Sequence, residues 1–201
     1  MSEYKGDMPI HDPNPWIKEP PTKGIGDLGE RPVHTGERIW DPMSADVGFC
    51  NYVVDVLSEL QWQHPDGLHV VESGIGQGFI TRRIFRGLRD DEDSYLGFDM
   101  DPYFLEIIPT EEITFNRAIV VGFAVEEAVA MADLLVLDSD MKVRPLELQT
   151  WLLYGKPGSH LVIHDTPQMV TPSGLTAIIE GSGISGFYTS NYRGGWHGIH
   201  P

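Results

Sequence analysis

Cysteine is almost missing from this chain: Cys50 is the only one among 201 residues, so no disulfide can form within it. With a single thiol and no signal-peptide pattern at the start, the expected compartment is the cytoplasm. Basic residues are scarce as well. Fourteen Lys and Arg stand against 30 Asp and Glu, a formal charge of −16, and a surface of that sign repels nucleic-acid phosphates and anionic lipid headgroups. No nucleic-acid or membrane partner is expected, and a small or neutral substrate fits better. No apolar run approaches the roughly 20 residues that span a bilayer. Repeats and low-complexity tracts are absent, and the eight histidines are scattered singly without zinc-like spacing.

What is present reads as one domain behind an extended arm. Residues 1–36 contain "MPIHDPNPW" and "KEPPTKGIGDLGERP", rich in Pro and Gly and without sustained periodicity. They form an arm whose Trp16 could dock and which could embrace a neighbouring subunit in a homo-oligomer. Residues 37–201 are the folded domain. From Ser44, a fair N-cap, apolar residues at Val47, Cys50, Val54, Leu57 and Leu60 predict a helix to about Trp62. Strand-like runs follow at 68–73, 94–99, 116–122, 132–138 and 159–165, with helices near 78–90, 102–109, 124–131 and 144–154 between them. Strand and helix alternating over short links predict an α/β fold: a Rossmann-like, doubly wound, mostly parallel seven-stranded sheet with helices on both faces. Its last two strands, in "GISGFYTSNYRGGWHGIH", would be an antiparallel pair joined by a glycine turn.

In such a sheet ligands bind beyond the carboxyl ends of the strands, where the connection reverses, and the first strand-to-helix turn is the usual place. Here that turn is "VVESGIGQGF", with Gly74, Gly76 and Gly78. A dinucleotide fingerprint needs a small residue at its sixth position, where this chain has Phe79, so a nicotinamide dehydrogenase is disfavoured. The pattern of Glu72 followed by G-x-G-x-G resembles the first motif of class I S-adenosylmethionine (SAM) methyltransferases, in which the glycines admit the amino-acid end of SAM. Asp99, closing the second strand in "YLGFDMDP" beside Met100, is placed to accept ribose hydroxyls. "VVGFAVEEA" resembles the methyltransferase segment that borders the adenine, which makes Gly122, Phe123 and Ala124 the candidates there.

The section "VLDSDMKVRPLELQTWLLYGKPGSHLVIHDT" ends one strand in Asp138 and Asp140 and the next in His164 and Asp165. In a parallel sheet both ends reach the same edge. Carboxylates gathered there repel unless something positive joins them, and hard cations such as Mg²⁺ take oxygen ligands. The wording resembles metal-dependent small-molecule O-methyltransferases, in particular the rhamnosyl O-methyltransferase and cephalosporin hydroxylase family, over roughly residues 40–200. The resemblance implies SAM as cofactor, methyl transfer to a hydroxyl of a small molecule or sugar, and Mg²⁺ held by Asp138, Asp140 and Asp165. Asp138 would also border the cofactor. Where the family has a histidine after "LDSD" this chain has Met141, where an acid commonly precedes the last Asp it has His164, and Thr166 stands where catechol-type relatives use an amide ligand. With those groups replaced, His164 is the leading base and Lys142 the second, and Asp138 completes the catalytic candidates. The alternative is a methyltransferase-like protein that binds without catalysing.

Overall fold

The computed structural model of the chain describes residues 47–102, 108, 113–166, 174–189 and 195–201. The arm with Trp16, the expected cap at Ser44, most of the expected helix 102–109 and the glycine turn before the last strand lie outside the described residues.

Apolar residues at three- and four-residue spacing form α1 (Val47–Gln63), whose Phe49, Val53, Val56, Leu57 and Leu60 are buried. Five strands and the helices between them follow: β1 (His69–Ser73), α2 (Phe79–Gly87), β2 (Ser94–Asp99), β3 (Arg117–Val121), α3 (Glu126–Met131), β4 (Leu134–Leu137), α4 (Arg144–Tyr154) and β5 (His160–His164). The chain closes with α5 (Leu175–Ser182), β6 (Gly186–Thr189) and β7 (Gly195–Ile199). No helix among the described residues is long and apolar enough to cross a membrane.

The strands form one seven-stranded sheet in the order β3-β2-β1-β4-β5-β7-β6. The first five are parallel, and β7 runs antiparallel to both β5 and β6. β4 and the middle of β5, Leu161 to Ile163, read as apolar runs and are fully buried, as strands covered on both sides must be. One cover is α3, α4 and α5, whose Val129, Leu148, Trp151 and Ile179 pack with Val71, Leu135, Leu137, Leu161 and Ile163 in one core cluster. The other is α1 and α2: Phe49 lies 4.3 Å from the His164 ring, and Phe85 meets Tyr95 edge-on at 4.8 Å.

Aspartates fasten the amino end of the sheet. Buried Asp93 accepts the backbone N–H groups of Leu68 and Arg89 and the amide of Gln61, while Asp133 accepts the N–H of His69. An acid-rich chain thus uses part of its charge to satisfy strand entries that would otherwise be unpaired. The carboxyl end is left for other work. There the order of connection reverses between β1 and β4, the place where sheets of this kind bind ligands.

Candidate active site

The glycine loop leaves β1 at that reversal. Gly74 has φ 91°, and a Cβ there would fall 2.3 Å from the backbone of Asp138 and Ser139, so only glycine lets the exits of β1 and β4 lie this close. Gly76 has φ 54° and donates its N–H to Asp99 Oδ2 at 2.9 Å. Gly78, also left-handed, starts α2. The other oxygen of Asp99 accepts the Asp101 N–H at 2.8 Å, so the carboxylate clasps the loop to the end of β2. Burial pushes the Asp99 carboxyl up, against the pull of those backbone N–H groups. The Ile75 N–H bonds the carboxylate as well, which leaves room for a further donor among its roughly four lone-pair sites.

Glu72 lies beneath the loop, not at its surface. Its place in β1 turns it toward α2, where it is fully buried and Oε2 accepts Thr81 Oγ1 at 2.9 Å and Tyr95 OH at 2.6 Å. Oε1 has no hydrogen-bond partner. Burial raises this carboxyl to about 8, outweighing the two hydroxyls that favour its charge. Glu72 therefore supports the loop as a neutral acid at physiological pH. Gly122 follows β3 with φ 150° and open space where a Cβ would stand, and Phe123 and Met100 are exposed. Ala124 is buried and its N–H is held by Glu147.

At the ends of β4 and β5 the structure brings together Asp138, His164 and Asp165, whose ligand-type atoms lie within 4.8 Å of one another. It does not bring in Asp140 or Lys142. β4 stops at Leu137, so Asp140 falls in the turn before α4, exposed, and accepts the Lys142 N–H at 2.8 Å. Lys142 and Met141 are exposed on that turn. His164 is buried, its Nδ1 2.9 Å from Asp138 Oδ1 and its Nε2 3.4 Å from Asp165 Oδ1. Asp165 itself has φ 60°, the one left-handed residue other than glycine among those described. Of the three, Asp138 is the most open to solvent.

Two residues of α4 outside the candidate set are central. Arg144 donates from Nε to Ser139 O at 2.6 Å, from Nη1 to His164 O at 2.8 Å and from Nη2 to Asp138 Oδ1 at 2.9 Å, with Asp165 Oδ2 3.6 Å from Nη1. Glu147, buried, accepts the hydroxyls of Ser73 and Ser139 and the N–H of Ala124. It ties the exits of β1, β3 and β4 together, and burial pushes its carboxyl up. Glu147 lies in "RPLELQTW", inside the section that carries the resemblance; Arg144 carried no sequence signal.

The donor set fits a hard divalent ion poorly. Mg²⁺ asks for near-octahedral oxygen ligands at about 2.0–2.1 Å, whereas one of these three residues offers imidazole nitrogen and Asp138 Oδ1 already takes two donors. The nucleoside side fits better, with a glycine cradle at a helix start, a carboxylate at the end of β2 and open space over Gly122.

No protein-family model matches the chain, and no curated protein matches it in sequence. Solved structures match its fold. The O-methyltransferase TomG from Streptomyces achromogenes, involved in tomaymycin synthesis and solved with SAM, matches with TM-score 0.55 at 13% identity, over 81% of this chain and 91% of that one. An O-methyltransferase from Bacillus cereus in complex with S-adenosylhomocysteine (SAH) matches with TM-score 0.53 at 14% identity, over 77% and 91%. CalS10, an amino pentose methyltransferase from Micromonospora echinaspora involved in calicheamicin biosynthesis and bound to SAM, matches with TM-score 0.56 at 11% identity, over 84% and 100%. At such identities the likeness is one of fold.

Proposed function

We propose that this chain is a SAM-dependent O-methyltransferase acting on a hydroxyl of a small molecule or sugar. The observation that carries the reading is convergence: the glycine loop, Asp99 and Asp138 stand at the ends of β1, β2 and β4, around the point where the sheet order reverses. SAM, when bound, supplies a sulfonium methyl group. The glycine loop and the first turn of α2 would border the amino-acid end, and Asp99 would accept from the ribose. Gly122, Phe123 and Met100 border the adenine, Phe123 and Met100 with apolar surface.

On the acceptor side Asp138 is the group that meets the cleft. Transfer of the methyl to R–OH forms an O–CH₃ bond, breaks the S–CH₃ bond and releases one proton, which Asp138 takes up as the oxygen attacks. His164, hydrogen-bonded behind Asp138, fixes the carboxylate's direction, and its burial makes it a support and not the residue that touches substrate. Holding donor and hydroxyl in line supplies most of the rate. The poor fit for Mg²⁺ leaves metal assistance out of this scheme.

The test is transfer of labelled methyl from SAM to a panel of sugars, phenols and natural-product hydroxyls. The reading expects at least one acceptor to be methylated and Asp138→Asn to lower kcat by about 10²-fold or more, the usual contribution of a positioned base. Binding of SAM with no transfer to any hydroxyl would favour the alternative, a non-catalytic relative, to which the exposed Met141 beside the site lends support.

A further inference from the structure

We infer that Arg144 is the resident cation of this site, so that Asp138, His164 and Asp165 work as a metal-free unit. Arg144 would be a positioning residue there, acting on Asp138 and His164 rather than on substrate. Its part in methyl transfer rests on the function proposed above; the exclusion of metal does not.

Two carboxylates and an imidazole meet at the ends of β4 and β5 with ligand atoms inside 4.8 Å, the arrangement that would ordinarily call for a divalent ion. The guanidinium already stands among them. It reaches Asp138 Oδ1 at 2.9 Å and Asp165 Oδ2 at 3.6 Å, and it also donates to the carbonyls of Ser139 and His164. Its side chain is 5% exposed, so water screens it little. Arginine does not lose its proton in proteins, which makes this positive charge permanent. A divalent ion at the same carboxylates would lie within a few ångströms of a fixed, buried cation.

The position of Arg144 supports the same conclusion. It opens α4, and a cation at a helix N-terminus opposes the helix dipole. Helix formation alone would favour an acid or a small polar residue there. What compensates is the pair of strand-end carboxylates, together with Glu147 one turn along. Asp140, the third carboxylate expected at a metal, lies outside the cluster, exposed and accepting the Lys142 N–H. Arg144 holds the backbone carbonyl of His164, and the imidazole itself is placed by its bond to Asp138 and by the Phe49 ring at 4.3 Å.

The test uses the full chain: thermal melts in EDTA and in excess MnCl₂ or MgCl₂, metal content by mass spectrometry, and an SAH titration on the same samples. Wild type should carry no stoichiometric divalent ion, and its melting temperature should respond to Mn²⁺ no more than that of Asp138→Asn. Arg144→Gln should acquire a Mn²⁺-dependent rise of roughly 5–10 °C at a hundredfold excess over Kd, lost again in the double variant with Asp138→Asn. In the transfer assay Mn²⁺ should restore activity to Arg144→Gln and leave wild type unchanged, an effect that a purely structural role would not produce. A wild-type rise abolished by Asp138→Asn, or a folded Arg144→Gln with no metal response, would overturn the inference. Should Arg144→Gln not fold, the wild-type titration decides. Failure of SAH to bind would count against the methyltransferase reading alone.

Discussion

Replacing Glu72 with Gln should change how stability depends on pH more than any other single substitution under the loop. In the fold its carboxyl is raised to about 8 from an ordinary 4.5, chiefly by burial, with Asp138 and Asp99 adding to the rise. Below pH 4.5 the group is neutral in both states and contributes fully. Between 4.5 and 8 unfolding releases a proton, so stability falls as pH rises, and the contribution is gone above 8. At about 1.4 kcal/mol per pH unit this amounts to roughly 5 kcal/mol. Gln has the same shape, is always neutral, and still meets the hydroxyls of Tyr95 and Thr81, which can donate or accept. Urea denaturation of both proteins from pH 5 to 9 should therefore give curves that diverge by several kcal/mol, the variant gaining as pH rises. Other titrating groups are common to both and cancel in the difference. Parallel curves would refute the claim that Glu72 is a neutral, buried support of the loop.

Glu147→Ala should cost about 3 kcal/mol or more, because it leaves the hydroxyls of Ser73 and Ser139 and the N–H of Ala124 without their acceptor, each worth roughly 1–3 kcal/mol when buried; chemical denaturation checks this, and a loss below 1 kcal/mol would contradict the proposed tie among three strand exits. His197 is lowered to about 4 by burial and by its neighbour His160, to which it is hydrogen-bonded at 2.9 Å, while Tyr52 bonds its other nitrogen at 2.6 Å. Its contribution is complete above pH 6.5 and is lost as pH falls toward 4, so His197→Gln should flatten the acid limb of the stability curve; an unchanged limb would be the contrary result.

The sheet and its helices were legible because each strand is a short apolar run and each helix a periodic one. The expected α4, 144–154, is the observed Arg144–Tyr154, with Pro145 near its start. α5 escaped notice although Leu175, Ile178 and Ile179 carry helical spacing: it has only eight residues and lies between left-handed Gly174 and Gly183, which read as loop. That β7 inserts between β5 and β6 is a matter of topology that linear order does not reveal. At the site, the residues at strand ends were placed at the right edge of the sheet, since parallel register carries them there. Proximity in sequence groups Asp140 with Asp138, but β4 ends at Leu137, so Asp138 stays at the strand end while Asp140 falls on the exposed turn before α4. Arg144 and Glu147 were hidden for a different reason. Polar residues in an amphipathic helix are read as facing water, and only the fold shows that this end of α4 dips into the sheet edge.

The most direct measurement is calorimetric titration of the protein with SAH and, separately, with NAD. The account predicts micromolar binding of SAH and none of NAD, because Phe79 occupies the position where a pyrophosphate-binding helix needs a small residue. Asp99→Ala should weaken SAH binding by about 1.5–3 kcal/mol, the worth of hydrogen bonds to a charged group. Binding of NAD without SAH, or an affinity for SAH that Asp99→Ala leaves unchanged, would contradict it.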